Sequence, residues 1–242
     1  MNEKANENSW FPLIVVACAS FIIVLDSFFM NVSISKIVAD LNTDVGTIQM
    51  TMSFYTLITA AFMLLSAKLQ DIVGKKKLFV IGAALFGIGI FAAVLSSSVT
   101  MFFVGWAAIK GVAAALMLPA IVSIISGIYS GRKRTIALAT LGVMAGLADI
   151  LAPLLGGLIT TFFSWRYTFA FELIFILFIL VMQNKIPDFK PTESKSDLDI
   201  IGAIFSGIFL LLLVLGILTL TNDVATSIIE IILGLIVLAI FI

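Results

Sequence analysis

Apolar residues fall in eight long runs, divided by short polar breaks. The runs are Phe11 to Asn31, Thr47 to Ala67, Leu78 to Leu95, Met101 to Ile125, Ile136 to Phe163, Tyr167 to Met182, Ile200 to Leu220 and Thr226 to Ile242. An α-helix rises ~1.5 Å per residue, so about 20 apolar residues cross ~30 Å of hydrocarbon. Each run therefore predicts one membrane-crossing helix. A membrane barrel is excluded, because its strands alternate polar and apolar positions. The predicted fold class is an all-α polytopic membrane protein. One break is longer than the rest. Residues 183–199 hold Pro187, Pro191, three Lys and four acids, and read as a linker between a six-helix block (1–182) and a two-helix block (200–242).

Composition agrees with the pattern. Of 242 residues, 62% are hydrophobic and 12% charged, against roughly 45–50% and about 25% in a soluble domain. This excludes a disordered chain, a disulfide scaffold and a nucleic-acid binder. There is no His, and Cys18 is the single Cys, so a His metal site, an intrachain disulfide and a Cys-based zinc site are excluded. No metal or cofactor is expected. Val15-Val16-Ala17-Cys18 resembles a lipoprotein cleavage site, but the apolar run continues past Cys18 to Leu25, as in an uncleaved helix.

The net charge is zero, yet the basic residues are unevenly placed. Lys4, Lys68, Lys75 to Lys77, Arg132 to Arg134, Lys185, Lys190 and Lys195 occupy alternate breaks, and the opposite set holds only Lys36 and Arg166. By the positive-inside rule the amino terminus is cytoplasmic, and after eight crossings the carboxyl end is too. The expected location is the cell membrane.

Glu230 lies near the outer end of the last run, and four charged residues interrupt the apolar runs of the six-helix block: Asp26, Lys110, Asp149 and Glu172. Each costs ~2.5–3.5 kcal/mol at the bilayer centre, so all four are expected to face the bundle interior or a water-filled cavity. From the run ends, Asp26 and Glu172 lie roughly 8 Å below the outer surface, Asp149 about 20 Å above the inner one, and Lys110 near the middle. Such depths let all four converge. A substrate or ion pathway is one reading; a structural Asp–Lys pair with Glu172 reaching outward is the other.

Leu25-Asp26-Ser27-Phe28-Phe29-Met30-Asn31-Val32, with Ser27 for Thr, is similar to L-D-x-T-x-x-N-V, a motif of the fourteen-helix branch of drug:proton antiporters in the major facilitator superfamily, and several further segments resemble motifs of that superfamily. The resemblance implies that Asp26 is the membrane-embedded acid and that Asn31 belongs to the same cavity. Leu69 to Lys77 resembles G-x-L-A-D-R-x-G-R-K, which makes Asp71, Gly74, Lys75 and Lys76 a gating loop. Ala67 replaces the first Gly there, and Ile72 replaces the Arg. Gly74 permits a tight turn, and Asp71 can bond free amides at a helix end. The alternative is a basic loop that only sets topology.

In helix 4 the pattern R-x-x-Q-G reads Ala107-Ala108-Ile109-Lys110-Gly111. Lys110 lies only ~60° around the helix from Ala107 and could supply the displaced cation. Ala152-Pro153-Leu154-Leu155-Gly156-Gly157 resembles the antiporter signature G-P-x-x-G-G, singling out Pro153, Gly156 and Gly157; plain small-residue packing is the alternative. Ser164-Trp165-Arg166-Tyr167 resembles S-W-R-W, and Asp199 to Gly202 the entry to helix 7. The resemblance implies two inverted three-helix repeats, helices 1–3 and 4–6.

The functional expectation is proton-coupled transport, chiefly efflux of amphipathic or cationic compounds by antiport. A truncated, non-transporting membrane fragment and an uptake symporter are the alternatives. No enzyme is expected, since no nucleophile–base set or phosphate loop occurs. Expected partners are the lipid bilayer, a small substrate and protons. Alternating access needs two bundles, and Ile231 to Ile242 ends without a charged cap. A missing carboxyl-terminal half, or a second copy, is therefore also expected.

Overall fold

The computed structural model describes residues 9–189, 191, 200–220 and 223–241. Lys4, most of the linker (Lys190, Lys195 and Asp199 among it) and Ile242 lie outside them. The described helices are α1 (Phe11–Asp40), α2 (Val45–Val73), α3 (Lys75–Val94), α4 (Val99–Ile128), α5 (Gly131–Phe162), α6 (Trp165–Met182), α7 (Ile200–Thr219) and α8 (Val224–Phe241). Six of these, α1 to α6, are long and apolar enough to cross a membrane. Shorter apolar stretches, Gly207–Ile217 and Val224–Ala239, lie in α7 and α8.

Several helices outrun their apolar runs. α1 continues nine residues past Asn31 to Asp40, and α2 continues past Ala67 to Val73. Hydropathy marks the hydrocarbon, whereas the backbone ladder stops where a residue can end it. Asn42 (φ 50°) turns the chain after α1 in the left-handed region that Asn tolerates. Asp44 then caps α2 by accepting from Thr47 N at 2.9 Å. That bond, with the Thr47 hydroxyl at 2.6 Å, holds the exposed Asp44 carboxyl below its ordinary range. Ser98 and Ser164 cap α4 and α6 in the same way, accepting from Met101 N and Arg166 N. α2 ends at Gly74, whose φ of 99° few other residues adopt, so α3 begins at once with Lys75.

The core is the space between α1, α3, α4 and α6. α1 packs on α5 and α6, α3 on α4 and α6, and α2 on α4. α7 pairs with α8 and also packs against α2. Phe29, Phe79, Phe86, Phe102 and Phe169 are fully buried, whereas Phe62, Phe91, Phe162 and Phe163 face outward. The many Phe residues thus serve both the core and the lipid-facing surface. The outward faces also carry Leu64, Ile88, Ile150 and Leu177, an apolar exterior suited to hydrocarbon and not to water.

α4 is not uniform. Phe103–Ile109 is a π-helical segment, and the Lys110 N–H reaches back five residues to the Gly105 carbonyl. Such wide turns appear often at functional sites. This one directly precedes Lys110.

Candidate functional site

Asp26 on α1, Lys110 on α4 and Glu172 on α6 meet in the core, each fully buried. The Lys110 ammonium donates to Asp26 Oδ1 and, at 3.0 Å, to Glu172 Oε2. Trp106, in the π-helical segment, donates its indole N–H to the same Asp26 Oδ1 at 3.0 Å. The rings of Phe86 on α3 and Phe169 on α6 lie 4.6 and 5.2 Å from the ammonium, within cation–π range. Tyr55 on α2 lies with its ring centre 4.8 Å from that of Trp106. Five helices thus close around one cation.

Close packing makes this possible at Gly89 of α3. A Cβ there would stand 2.4 Å from Lys110 Cγ and 2.8 Å from the Gly105 carbonyl oxygen, so any side chain would displace the lysine stem. The cluster holds one cation and two carboxyls, and its hydrogen bonding is incomplete. Asp26 Oδ2 and Glu172 Oε1 are buried without a partner. A Lys ammonium is a point charge on a flexible stem and lacks the planar fork that would fill both carboxylates.

The other singled-out residues lie elsewhere. Asp149 is exposed on α5 and does not join the cluster. Its depth matches the others, but its position around the helix turns it away from the core. Asn31 is exposed as well, and its side-chain N–H donates to the Ser27 carbonyl at 2.9 Å. Pro153 is exposed within α5, and Gly157 has open space around it. Gly156 differs, since a Cβ there would meet Phe29 Cδ1 at 3.0 Å, where α5 crosses α1.

At the Lys75 end, Asp71 lies inside α2 and makes no hydrogen bond or ion pair among the described residues, in place of the expected bond to helix-end amides. Lys76 pairs with Asp188 at 3.0 Å, and the Lys75 ammonium sits 5.5 Å from the Phe189 ring. The chain leaving α6 therefore folds back over this loop.

The opposite end carries a second ionic cluster. Arg166 pairs with Asp40 and donates to the carbonyls of Val94 (3.0 Å) and Ser96 (2.7 Å). Trp165 donates to Asp40 Oδ2 at 3.1 Å. The ends of α1 and α3 and the start of α6 are tied together by these bonds. A 360 Å³ pocket opens beside them, lined by Lys36, Asp40, Thr160, Ser164 and Trp165 among others.

Sequence reasoning missed Trp106 and Tyr55. The available signal was Trp106 four residues before Lys110, a spacing that places both on one helix face.

The Major Facilitator Superfamily pattern matches residues 16–241. The MFS-type transporter ptmT of Penicillium ochrochloron is 32% identical over 194 residues, covering 77% of this chain and 34% of its own length. The lincomycin resistance protein of Streptomyces lincolnensis is 25% identical over 228 residues, covering 92% of this chain and 46% of its own. The chain thus spans less than half the length of these relatives. In structure it resembles a peptide transporter, POT, in complex with sulfate, with TM-score 0.72 and 19% identity over 97% of this chain and 53% of that one. A buried charge cluster inside an all-helical, membrane-crossing bundle is therefore found in a chain that belongs to the Major Facilitator Superfamily.

Proposed function

We propose that the protein exports amphipathic or cationic compounds across the cell membrane in exchange for protons, with Asp26 as the coupling acid. One observation carries this reading: Lys110 is fully buried between two carboxyls that each leave an oxygen unpartnered. A structural ion pair optimised for stability would be balanced in charge and fully hydrogen-bonded. This one is neither, and unsatisfied ionisable groups within the membrane mark proton or ion pathways. A relative named for lincomycin resistance agrees with a drug-like substrate.

In the proposed topology the Lys75 end is cytoplasmic and the Arg166 end faces outward. In a Cys18→Ser background, a cysteine at Lys77 is then protected from an impermeant thiol reagent added to intact cells, and one at Ser164 reacts. The reverse labelling overturns the orientation.

The transport test uses membrane vesicles holding a complete assembly that contains this chain, because the chain spans less than half the length of its relatives, with an imposed pH gradient and tetraphenylphosphonium as the probe. The expected result is pH-driven movement of the probe that Asp26→Asn abolishes at unchanged protein abundance. Normal movement in Asp26→Asn removes Asp26 from the coupling role, and no movement with the parent assembly overturns the reading.

A further inference from the structure

Charge counting in the buried cluster leads beyond Asp26. Lys110 contributes one positive charge, and Asp26 and Glu172, if both ionised, contribute two negative ones. The remaining unit of negative charge would sit in a space with no access to water, since all three side chains are fully buried. The surrounding groups cannot neutralise it. Packed against the cluster are Tyr55 from α2, Phe86 from α3, Trp106 from α4 and Phe169 from α6, and none of them is a cation. On α5 the only acid is Asp149, which is exposed, and Arg166 is engaged with Asp40, Val94 and Ser96 at the end of the bundle.

The two carboxyls share one ammonium, so both converge on a single point in the core. Each presents one buried oxygen with no partner. Two carboxyls sharing a site cannot both ionise cheaply, and one proton between them neutralises the cluster while supplying the missing donor.

We propose that Asp26 and Glu172 hold a single exchangeable proton between them, above Lys110, so that Glu172 is a proton-binding residue equal to Asp26. In the protonated state one carboxyl O–H donates to the other carboxylate, and Lys110 balances the single remaining negative charge. When the proton leaves, the cluster carries one net negative charge. The proposal deepens the proton-coupled reading given above, and its transport role rests on that reading; the proton site itself does not.

Infrared spectroscopy of the purified 242-residue chain in lipid tests the site without any transport. The readout is the C=O stretch of a protonated carboxylic acid at neutral pH, taken as the parent-minus-variant difference. Asp26→Asn and Glu172→Gln each leave one carboxylate facing Lys110, so each is expected to lose the same band completely. A second measurement needs no variant. Carbon-13 at the aspartate carboxyls and, separately, at the glutamate carboxyls should each shift that band in the parent chain. Absence of the band from the parent, its survival in either variant, or sensitivity to only one label overturns the shared proton.

Discussion

Two clusters in this protein use nearly the same parts. In the core, a Lys ammonium and a Trp N–H meet on one oxygen of Asp26. At the end of the bundle, an Arg guanidinium and a Trp N–H meet on one oxygen of Asp40. The difference lies in completeness. Arg166 distributes its donors over Asp40 and two helix-end carbonyls, and its side chain remains partly exposed. Lys110 has a second carboxyl in place of carbonyls, no exposure, and two acceptor oxygens nearby left empty. The outer cluster is built to hold three helix ends. The inner one has one charge too many and one donor too few, so its lowest-energy state depends on what else binds.

That contrast can be broken first at Lys110. Lys110→Ala strands two buried carboxyls, and removing one partner of a buried pair costs about 3–5 kcal/mol. The expected result is a large fall in Tm of the detergent-solubilised protein, smaller in the double variant with Asp26→Asn. Additive losses would show that the two side chains act independently.

Arg166→Lys comes next. One ammonium cannot span Asp40, Val94 O and Ser96 O together, so a loss of about 1–2 kcal/mol is expected despite the retained charge. Solvent screening keeps it below the core effect. Raising ionic strength should weaken the outer cluster and leave the inner one unchanged. A parent-like Tm for Arg166→Lys would mean that charge alone holds the outer ends.

Trp106→Phe removes one hydrogen bond to Asp26 and keeps most of the ring, for an expected loss of about 1 kcal/mol. Trp165→Phe does the same to Asp40, which is part-exposed, and should lose less. Equal losses would remove the distinction between the two sites. Asp149→Asn is the smallest change, within about 0.5 kcal/mol by thermal unfolding, because an exposed side chain away from any network carries little stability.

The two acids Asp26 and Asp149 also show what the sequence can convey. Apolar runs give helix number and approximate depth, because hydrocarbon thickness is a fixed length. Depth put Asp26, Lys110, Glu172 and Asp149 within reach of one another. It carries no angle, and α5 meets the bundle by the side bearing Ala148, Ala152 and Gly156, which leaves Asp149 outside. Trp106 was hidden for a related reason. A Trp in an apolar run looks like any other large side chain, and only the fold shows that its N–H meets Asp26. The apolar runs from Thr47, Met101 and Tyr167 each begin two residues inside their helices, because Asp44, Ser98 and Ser164 cap the helices earlier. The end of α1 at Asp40 was not legible either, because the helix outlasts its apolar run by nine residues.

The π-helical segment Phe103–Ile109 holds an evolutionary and mechanical corollary. A π-turn is equivalent to one residue inserted into an α-helix. Deleting a single residue such as Ala108 would let the ladder close into ordinary α-helix without breaking it. The wide turn already absorbs that extra residue, so everything amino-terminal of the segment would keep roughly its facing relative to Lys110. Trp106, inside the wide turn, would be re-aimed relative to Asp26, whereas Phe102, before it, would stay beside Trp165. The backbone of α4 thus tolerates a change of length at the one place where length sets which side chain faces the cation. A one-residue deletion there should yield a folded helix with a rewired core, whereas the same deletion in the regular turns around Ala115 should disrupt the packing of everything beyond it.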